Sequence, residues 1–497
     1  MAAAAPGAGS GTAAGPGGTR DRPARRVRAG PTAAARRDRG PDPRCRQRRT
    51  LMSGAGGSAA GPERMLVARV DVDRPLPALS AGTDPYPAAW VIAFRHGRPV
   101  GHLEIPFTSG LISPEDLGAR LAALPAVAEP APPPPVVPDA ALPRITVVIP
   151  TAGERADLLD RCLGSLDVQD YPDFDVVVVD NRPGDDPDRA ARWAARSAAH
   201  PRLSVVAEPL RGSAAARNAG VRAATGEVIA FADDDVVVEP GWLRAIGTCF
   251  ATDPLLGCVT GAVLPREMET PAQIWFERSG SNLDRHYDPV TFTADPAWRG
   301  RFLGSLRPGR FRLTVRRGEV PDRLFLYRAG KLGTGASMSV RTAVFHELGG
   351  FDELLGAGAP VPGGEDHLLL VRLVFAGHRL RLEPGAFVQH THWRTRTEYL
   401  GKIYAYGNGY TAMLTALIRD DRRHLLGLGY YAVQAVFLLL RKFFRGRPAT
   451  AAYPRELSRA EFRGLLTGPW TYLIALWRSH RRPPPVAAEA RTPEVVR

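Results

Sequence analysis

Gly226-Glu227-Val228-Ile229-Ala230-Phe231-Ala232-Asp233-Asp234-Asp235 decides how this chain folds. Val228–Ala232 is an unbroken apolar run, which suits a strand covered on both faces, and three adjacent carboxylates close it. Three negative charges side by side repel one another, so folding alone gives no reason for them. They suit a strand end at which a divalent cation carries a phosphorylated ligand. A solvated turn or an Asp helix cap is the plainer alternative. The pattern recurs upstream. Ile145-Thr146-Val147-Val148-Ile149 ends at Pro150-Thr151, and Asp175-Val176-Val177-Val178-Val179 ends at Asp180-Asn181. Leu203–Val206 is a shorter strand, and helical stretches at Leu158–Leu166 and Ser213–Ala224 intervene. Such alternation predicts an α/β fold with a parallel sheet covered by helices on both faces. Ligands of such sheets bind beyond the carboxyl ends of the strands, so Thr151, Asp180 and Asp233–Asp235 share one rim.

The bulk composition excludes several classes. A net charge of +14 suggests a nucleic-acid binder, but residues 1–51 hold 12 Arg against 3 Asp and so account for nine of those charges. The remainder carries no strong basic field, and no nucleic-acid partner is expected. The cysteines, Cys45, Cys162, Cys249 and Cys258, form no CxxC pair and fit neither a zinc site nor a disulfide framework. A reducing cytoplasm is the expected compartment.

Residues 1–64 read as a disordered Arg/Ala/Gly/Pro-rich leader without an apolar h-region. Met52 or Met65 would serve equally as a start, and an Arg-rich transit peptide is the alternative for the leader. Residues 65–125 read as a small α+β, β-rich N-terminal domain. In it, strands flank Arg95-His96-Gly97-Arg98-Pro99, and Ser113 caps a helix opened by Pro114. A Pro-rich linker (126–143) leads to the strand–helix domain (144–395). A C-terminal helical region (396–480) and a disordered tail (481–497) follow.

Several residues on the rim can carry chemistry. Asp180 can accept hydrogen bonds from a ribose or a base imide, although a polar loop residue is the plain alternative. Arg211–Gly220 combines a small-residue helix start with cations; its free N–H groups and Arg217 suit a nucleotide or pyrophosphate. Close packing of that helix on the sheet is compatible with both. Gly363-Gly364 lets the backbone bend before Glu365-Asp366 opens a helix. The helix N-terminus keeps Asp366 ionised as a general base, or else the pair is an ordinary cap. In Val388-Gln389-His390-Thr391-His392-Trp393-Arg394 the two histidines alternate on one face. His390 can complete a metal shell begun by the aspartates, and Arg394 can hold a leaving diphosphate. A structural histidine pair is equally consistent with this spacing.

Taken in order, Thr146-Val147-Val148-Ile149-Pro150-Thr151, Val177-Val178-Val179-Asp180-Asn181, Ala216-Arg217-Asn218-Ala219-Gly220, Phe231-Ala232-Asp233-Asp234-Asp235, Gly349-Gly350-Phe351-Asp352-Glu353 and Gly364-Glu365-Asp366-His367-Leu368 resemble family 2 glycosyltransferases of the GT-A fold. The resemblance covers roughly residues 144–395. It implies a Rossmann-like mixed sheet, a nucleotide-diphosphate sugar donor, a divalent cation (Mg or Mn) and displacement with inversion at the anomeric carbon. On this resemblance the donor side comprises Pro150, Thr151, Asp180, Arg217, Asp233, Asp234 and Arg394, with Asp180 on the nucleoside. Asp233 and Asp235 form the DXD pair at the metal, with His390 as a further ligand. Gly364 and Glu365 lie on the acceptor side, where Asp366 deprotonates the acceptor hydroxyl. Processive members carry Gln-x-x-Arg-Trp after the acidic pair. This chain has His392-Trp393-Arg394 and lacks their long spans, which implies a single addition.

Leu425–Leu440 is uncharged for 16 residues and Leu465–Trp477 for 13, both short of the roughly 20 that a spanning helix needs. Buried helices fit, but the Arg/Lys brackets and aromatics favour peripheral contact with a membrane, at its inner face. The acceptor is then a glycan, a lipid-linked sugar or a small molecule, natural to cell-envelope or glycoconjugate synthesis. The rivals are a metal-dependent nucleotidyltransferase acting on a sugar phosphate and a nicotinamide oxidoreductase. The latter needs G-x-G-x-x-G after the first strand, where this chain has Pro150-Thr151-Ala152-Gly153-Glu154-Arg155.

Overall fold

A computed structural model describes residues 63–124, 127, 133–182, 184, 186–279, 287–294, 312–317, 320–433 and 455–481. Nearly all of the expected leader, residues 126 and 128–132 of the linker, residues 434–440 of the uncharged run and the tail beyond 481 lie outside these.

The N-terminal elements are β1 (Leu66–Asp71), β2 (Leu79–Ser80), β3 (Ala88–Arg95), β4 (Arg98–Pro106), β5 (Leu111–Ile112) and α1 (Pro114–Leu121). β1, β3 and β4 form a three-stranded sheet in that order. The β3–β4 hairpin turns through His96 and Gly97, both at positive φ (49° and 72°), as a tight two-residue turn requires. Ser113 caps α1 by accepting the Asp116 N–H at 3.2 Å, ahead of Pro114 in the first turn. One face of the sheet covers α1. The other places Trp90, Ile92 and Phe94 against Ala262, Leu264 and Phe387 of the larger sheet. Arg69 grips Glu239 with both terminal nitrogens, at 2.6 and 2.8 Å.

The large sheet contains β6 (Ile145–Thr151), β7 (Phe174–Asp180), β8 (Leu203–Ala207), β9 (Val228–Ala232), β10 (Val236–Val238), β11 (Leu256–Pro265), β12 (Val290–Ala294), β13 (Arg312–Arg317), β14 (Val320–Phe325), β15 (Ser337–Arg341) and β16 (Arg379–His390). Its order is β14-β13-β12-β16-β11-β15-β9-β6-β7-β8, with β10 paired to β16. β8, β7, β6 and β9 run parallel, as their unbroken apolar runs predict. β15 lies antiparallel between β9 and β11, so the sheet is mixed.

Helices cover both faces. They are α2 (Ala156–Asp167), α3 (Arg189–Ala199), α4 (Ser213–Ala223), α5 (Trp242–Thr252), α6 (Pro271–Ser279), α7 (Thr342–Glu347), α8 (Glu365–Ala376), α9 (Arg396–Asp420) and α10 (Arg455–Arg481). The period-two alternation of strands sorts the core. Val147, Ile149, Val176 and Val178 meet α2 and α5, while Val148, Val177 and Val179 meet α4, whose layer continues into α8 and α9. No helix among the described residues is long and apolar enough to cross a membrane.

Candidate active site

Strand ends build the rim. Thr151 closes β6, Asp180 closes β7, Asp233–Asp235 follow β9 and His390 closes β16. β15 runs the other way, so its first residue, Ser337, pairs with Ala232 and brings Gly335 to the same edge.

The three aspartates aim at three different elements. Asp233 Oδ1 accepts from Arg217 Nη2 of α4 at 2.7 Å. Asp234 turns back to β6, where Thr151 Oγ1 donates to it at 2.6 Å. Asp235 lies 2.8 Å from Arg155 Nη1 and 3.2 Å from His390 Nε2. Burial raises the Asp234 carboxyl to about 6, helped by the charges of Asp235 and Asp233 and opposed by the Thr151 hydroxyl. Burial also works against the charge on Asp235, but His390 and Arg155 outweigh it and hold the carboxyl well below the usual range. His390 shifts upward in turn, its burial overcome by Asp235.

One oxygen of Asp235, one of Asp233 and one ring nitrogen of His390 lie within 4.8 Å of one another. The buried Asp235 Oδ1 has an ion-pair neighbour but no hydrogen-bond donor in good geometry. Two carboxylate oxygens and an imidazole nitrogen so arranged fit a divalent cation of the Mg or Mn type. Behind His390 runs a buried relay. His390 Nδ1 meets His392 Nδ1 at 3.0 Å, and His392 Nε2 meets Glu277 Oε1 of α6 at 2.6 Å. His392 therefore faces α6, whereas the alternation along the strand allowed both rings into the cleft.

Asp180 is buried, and its carboxylate is already engaged. Arg182 contacts both its oxygens, at 2.9 and 2.7 Å, and Trp193 Nε1 donates at 2.6 Å. Burial opposes the charge, yet the hydrogen bonds from Arg182 and Trp193 lower its pKa on balance. Pro150 lies in β6 beside Val179, half-buried. The start of α4 is less open than the sequence suggests, because Gly212 N donates to Asn181 Oδ1 and Ser213 N to the Ala357 carbonyl. Arg217 is buried beneath the rim rather than free for a phosphate. Its Nη2 binds Asp233 and its Nη1 binds Glu365 Oε1 at 2.9 Å. Burial disfavours its charge, but Asp233 and Glu365 more than restore it.

The loop that enters α8 is set by glycine. Gly364 caps α8 at φ 93°, where a side chain is strained, and a Cβ on it would stand 2.5 Å from the Gly409 carbonyl oxygen of α9. Glu365 turns inward to Arg217 and Ser213. Asp366 Oδ2 accepts from Gly335 N at 2.8 Å and Oδ1 from His367 N at 2.7 Å. Burial would raise this carboxyl, but the charge of His367, the Gly335 amide and Arg217 hold it below the usual range. Arg394 is drawn away from the aspartates and binds Glu267 with two nitrogens, at 2.8 and 2.9 Å. The cation that does reach Asp235 is Arg155, in the loop after β6. Its position one helical turn from Thr151 was its only sequence signal.

Residues 146–296 match the family model for glycosyl transferase family 2. A pre-mycofactocin glycosyltransferase of Mycobacterium tuberculosis is 28% identical over 242 residues, which span 48% of this chain and 43% of that protein. The glycosyltransferase AglE of Haloferax volcanii is 36% identical over 115 residues, 22% of this chain and 37% of that one. The chain thus spans less than half the length of these curated relatives. A mannosyltransferase from Pyrobaculum calidifontis, solved with GDP-Man and Mn2+, superposes with a TM-score of 0.38 at 20% identity, covering 71% of this chain and 80% of that one. None of these favours a nucleotidyltransferase. The matched stretch, which carries the carboxyl ends of the parallel strands and the Asp233–Asp235 rim, is a glycosyl transferase family 2 segment.

Proposed function

We propose that this glycosyltransferase moves one sugar from a nucleotide-diphosphate sugar to an acceptor hydroxyl with inversion, using Mg or Mn. The observation that carries this reading is the division of the site. Asp233, Asp235 and His390 gather on one side, Asp366 stands on the other, and Arg217 links them through Asp233 and Glu365. Asp233, Asp235 and His390 would hold the cation, which when bound neutralises charge on the departing diphosphate. Thr151 and Asp234 border the donor, and Asp180 can receive the nucleoside if Arg182 gives way.

Asp366 supplies the base. The acceptor oxygen attacks the anomeric carbon opposite the diphosphate, and the bond from that carbon to the phosphate oxygen breaks. The electron pair leaves with the nucleoside diphosphate, and the hydroxyl proton passes to Asp366. Two backbone N–H donors fix the carboxylate in place and, with His367 and Arg217 nearby, keep it ionised. The acceptor belongs to cell-envelope or glycoconjugate synthesis, and the protein works in the cytoplasm in peripheral contact with a membrane. A thermal-shift series of nucleoside diphosphates and their sugars, with and without Mn or Mg, tests the core of this. Stabilisation that requires both nucleotide and metal is expected; no shift with any of them overturns it. Product configuration by NMR tests inversion.

A further inference from the structure

We propose that the outer face of α10 seats the protein on an anionic phospholipid surface. This builds on the peripheral membrane contact proposed above and names its site and lipid class. The inner face of α10 is fully used: Tyr472 and Ala475 join the core beneath it, and Gly464 and Gly468 press on the α9 backbone. The outer face is not. Leu466, Trp470, Leu473, Ile474 and Trp477 recur at helical spacing and stay exposed, Trp470 at 68% and Trp477 at 53%. Isolated exposed apolar residues are ordinary, but an aligned set with two tryptophans is not.

Charge decides the occupant. Residues 464–477 carry no charge, and exposed arginines bracket them: Arg459 and Arg463 before, the latter also leaning over Tyr404 of α9, and Arg478 and Arg481 after. The Arg481 guanidinium lies 3.8 Å over the Trp477 ring, a pairing suited to a headgroup layer. Glu461 is nine residues from Trp470, half a turn around the helix, and Glu456 is held by Arg396. The face is therefore apolar at its centre and cationic at both ends. A second copy docking on it in an antiparallel, two-fold arrangement would bring arginine against arginine. A surface rich in anionic phospholipid satisfies both the apolar centre and the cationic ends. The uncharged stretch spans about 21 Å as a helix, short of the roughly 30 Å hydrocarbon core, so α10 lies along the surface.

The seat also has a place in the site. α10 packs on α9, and α9 brings Gly409 against Gly363 and Gly364, which set Asp366. A lipid surface under α10 therefore backs the acceptor side, and suits an acceptor presented from that surface.

Co-sedimentation of the full chain with vesicles tests the proposal. Binding is expected to vesicles of phosphatidylglycerol and phosphatidylcholine, and to be at least tenfold weaker to phosphatidylcholine alone. Trp470→Glu with Trp477→Glu should cut binding at least tenfold while circular dichroism and Tm stay unchanged. Changing Arg459, Arg463, Arg478 and Arg481 to Gln should remove the preference for anionic lipid and the salt dependence. Equal binding by wild type and the Trp variant, no binding to anionic vesicles, or a dimer in light scattering that the Trp variant dissolves would overturn it. Thermal shift with UDP or GDP plus Mn, run on the same variants, separates the two readings. Lost vesicle binding with a normal shift is expected of the Trp variant. No shift in the wild type would overturn the donor reading while leaving the vesicle result to stand.

Discussion

The two acidic centres hold their carboxylates by different means. On the proposed donor side, Asp233 and Asp235 face side chains, namely Arg217, Arg155 and His390. Arg155 is a long, half-exposed cation that can swing aside when a metal and a diphosphate arrive. On the proposed acceptor side, Asp366 is bound by the N–H groups of Gly335 and His367, which belong to the backbone and cannot swing away. A site proposed to accept and release charged ligands thus keeps one exchangeable partner, Arg155, beside the buried Arg217 and His390. A base that must stay ionised in one position is built on fixed ones. Burial alone would raise both Asp235 and Asp366, and in each the partners outweigh it.

Asp366→Asn gives the sharpest break between the halves. Asparagine keeps the size and can still accept one backbone N–H, but it cannot take a proton. Turnover should fall by about 10²–10⁴-fold, the usual contribution of a general base. Nucleotide-dependent thermal shift with Mn should persist. Near-normal sugar transfer by this variant would remove Asp366 from the base role.

Arg217→Met tests the link itself. The guanidinium binds Asp233 and Glu365 together and is 4% exposed, so its loss leaves the two carboxylates facing each other without the charge between them. Breaking one partner out of such a buried set costs about 3–5 kcal/mol, and Asp233, partly open to water, pulls the value to the lower end. Urea denaturation reads this directly. A change below about 1 kcal/mol would mean that the halves stand independently.

Glu277→Gln should act on the donor side alone and more weakly. If His390 Nε2 faces a cation, Nδ1 carries the proton and donates to His392, whose Nε2–H then needs an acceptor at Glu277. Glutamine is a poorer acceptor and loosens that chain. Mn affinity, measured by calorimetry without donor or acceptor, should drop about 10–100-fold. An unchanged Mn affinity with intact fold would make the relay purely structural.

Much of the rim was legible because its signals are local. Ile145–Ile149 and Asp175–Val179 are unbroken β-branched or apolar runs, and each carboxylate sits just past the end of such a run. The glycines before Glu365 likewise announce a bend. What escaped depends on long-range pairing. Glu277 reaches His392 across 115 positions, and Gly335 reaches Asp366 only because β15 runs antiparallel beside β9. Arg217 looked like a phosphate ligand because its helix starts with small residues, but those residues sink the helix onto the sheet and bury the guanidinium. Arg394 follows His390 closely in sequence, yet the chain leaves β16 there and Glu267 is the carboxylate it meets.

The smallest expected effect concerns the support behind the acceptor half. His424 is buried against Phe375 at the end of α8, with its Nδ1 2.9 Å from the Tyr327 hydroxyl. Burial lowers its pKa from 6.5 to about 4, so the folded protein keeps this ring neutral where the unfolded chain would protonate it. The unfolded state binds the extra proton, and stability therefore rises with pH across this window. The contribution is fully present above pH 6.5 and drains away as pH falls toward 4. Tm should decline over that range in the wild type and decline less in His424→Phe, which has no proton to take up. Because His424 stands behind α8 rather than on the donor rim, Mn affinity at neutral pH should be the same in both proteins. A matching pH slope in the variant would assign the decline to other groups, while a shift in Mn affinity would show that the acceptor half's backing reaches across Arg217 to the metal side.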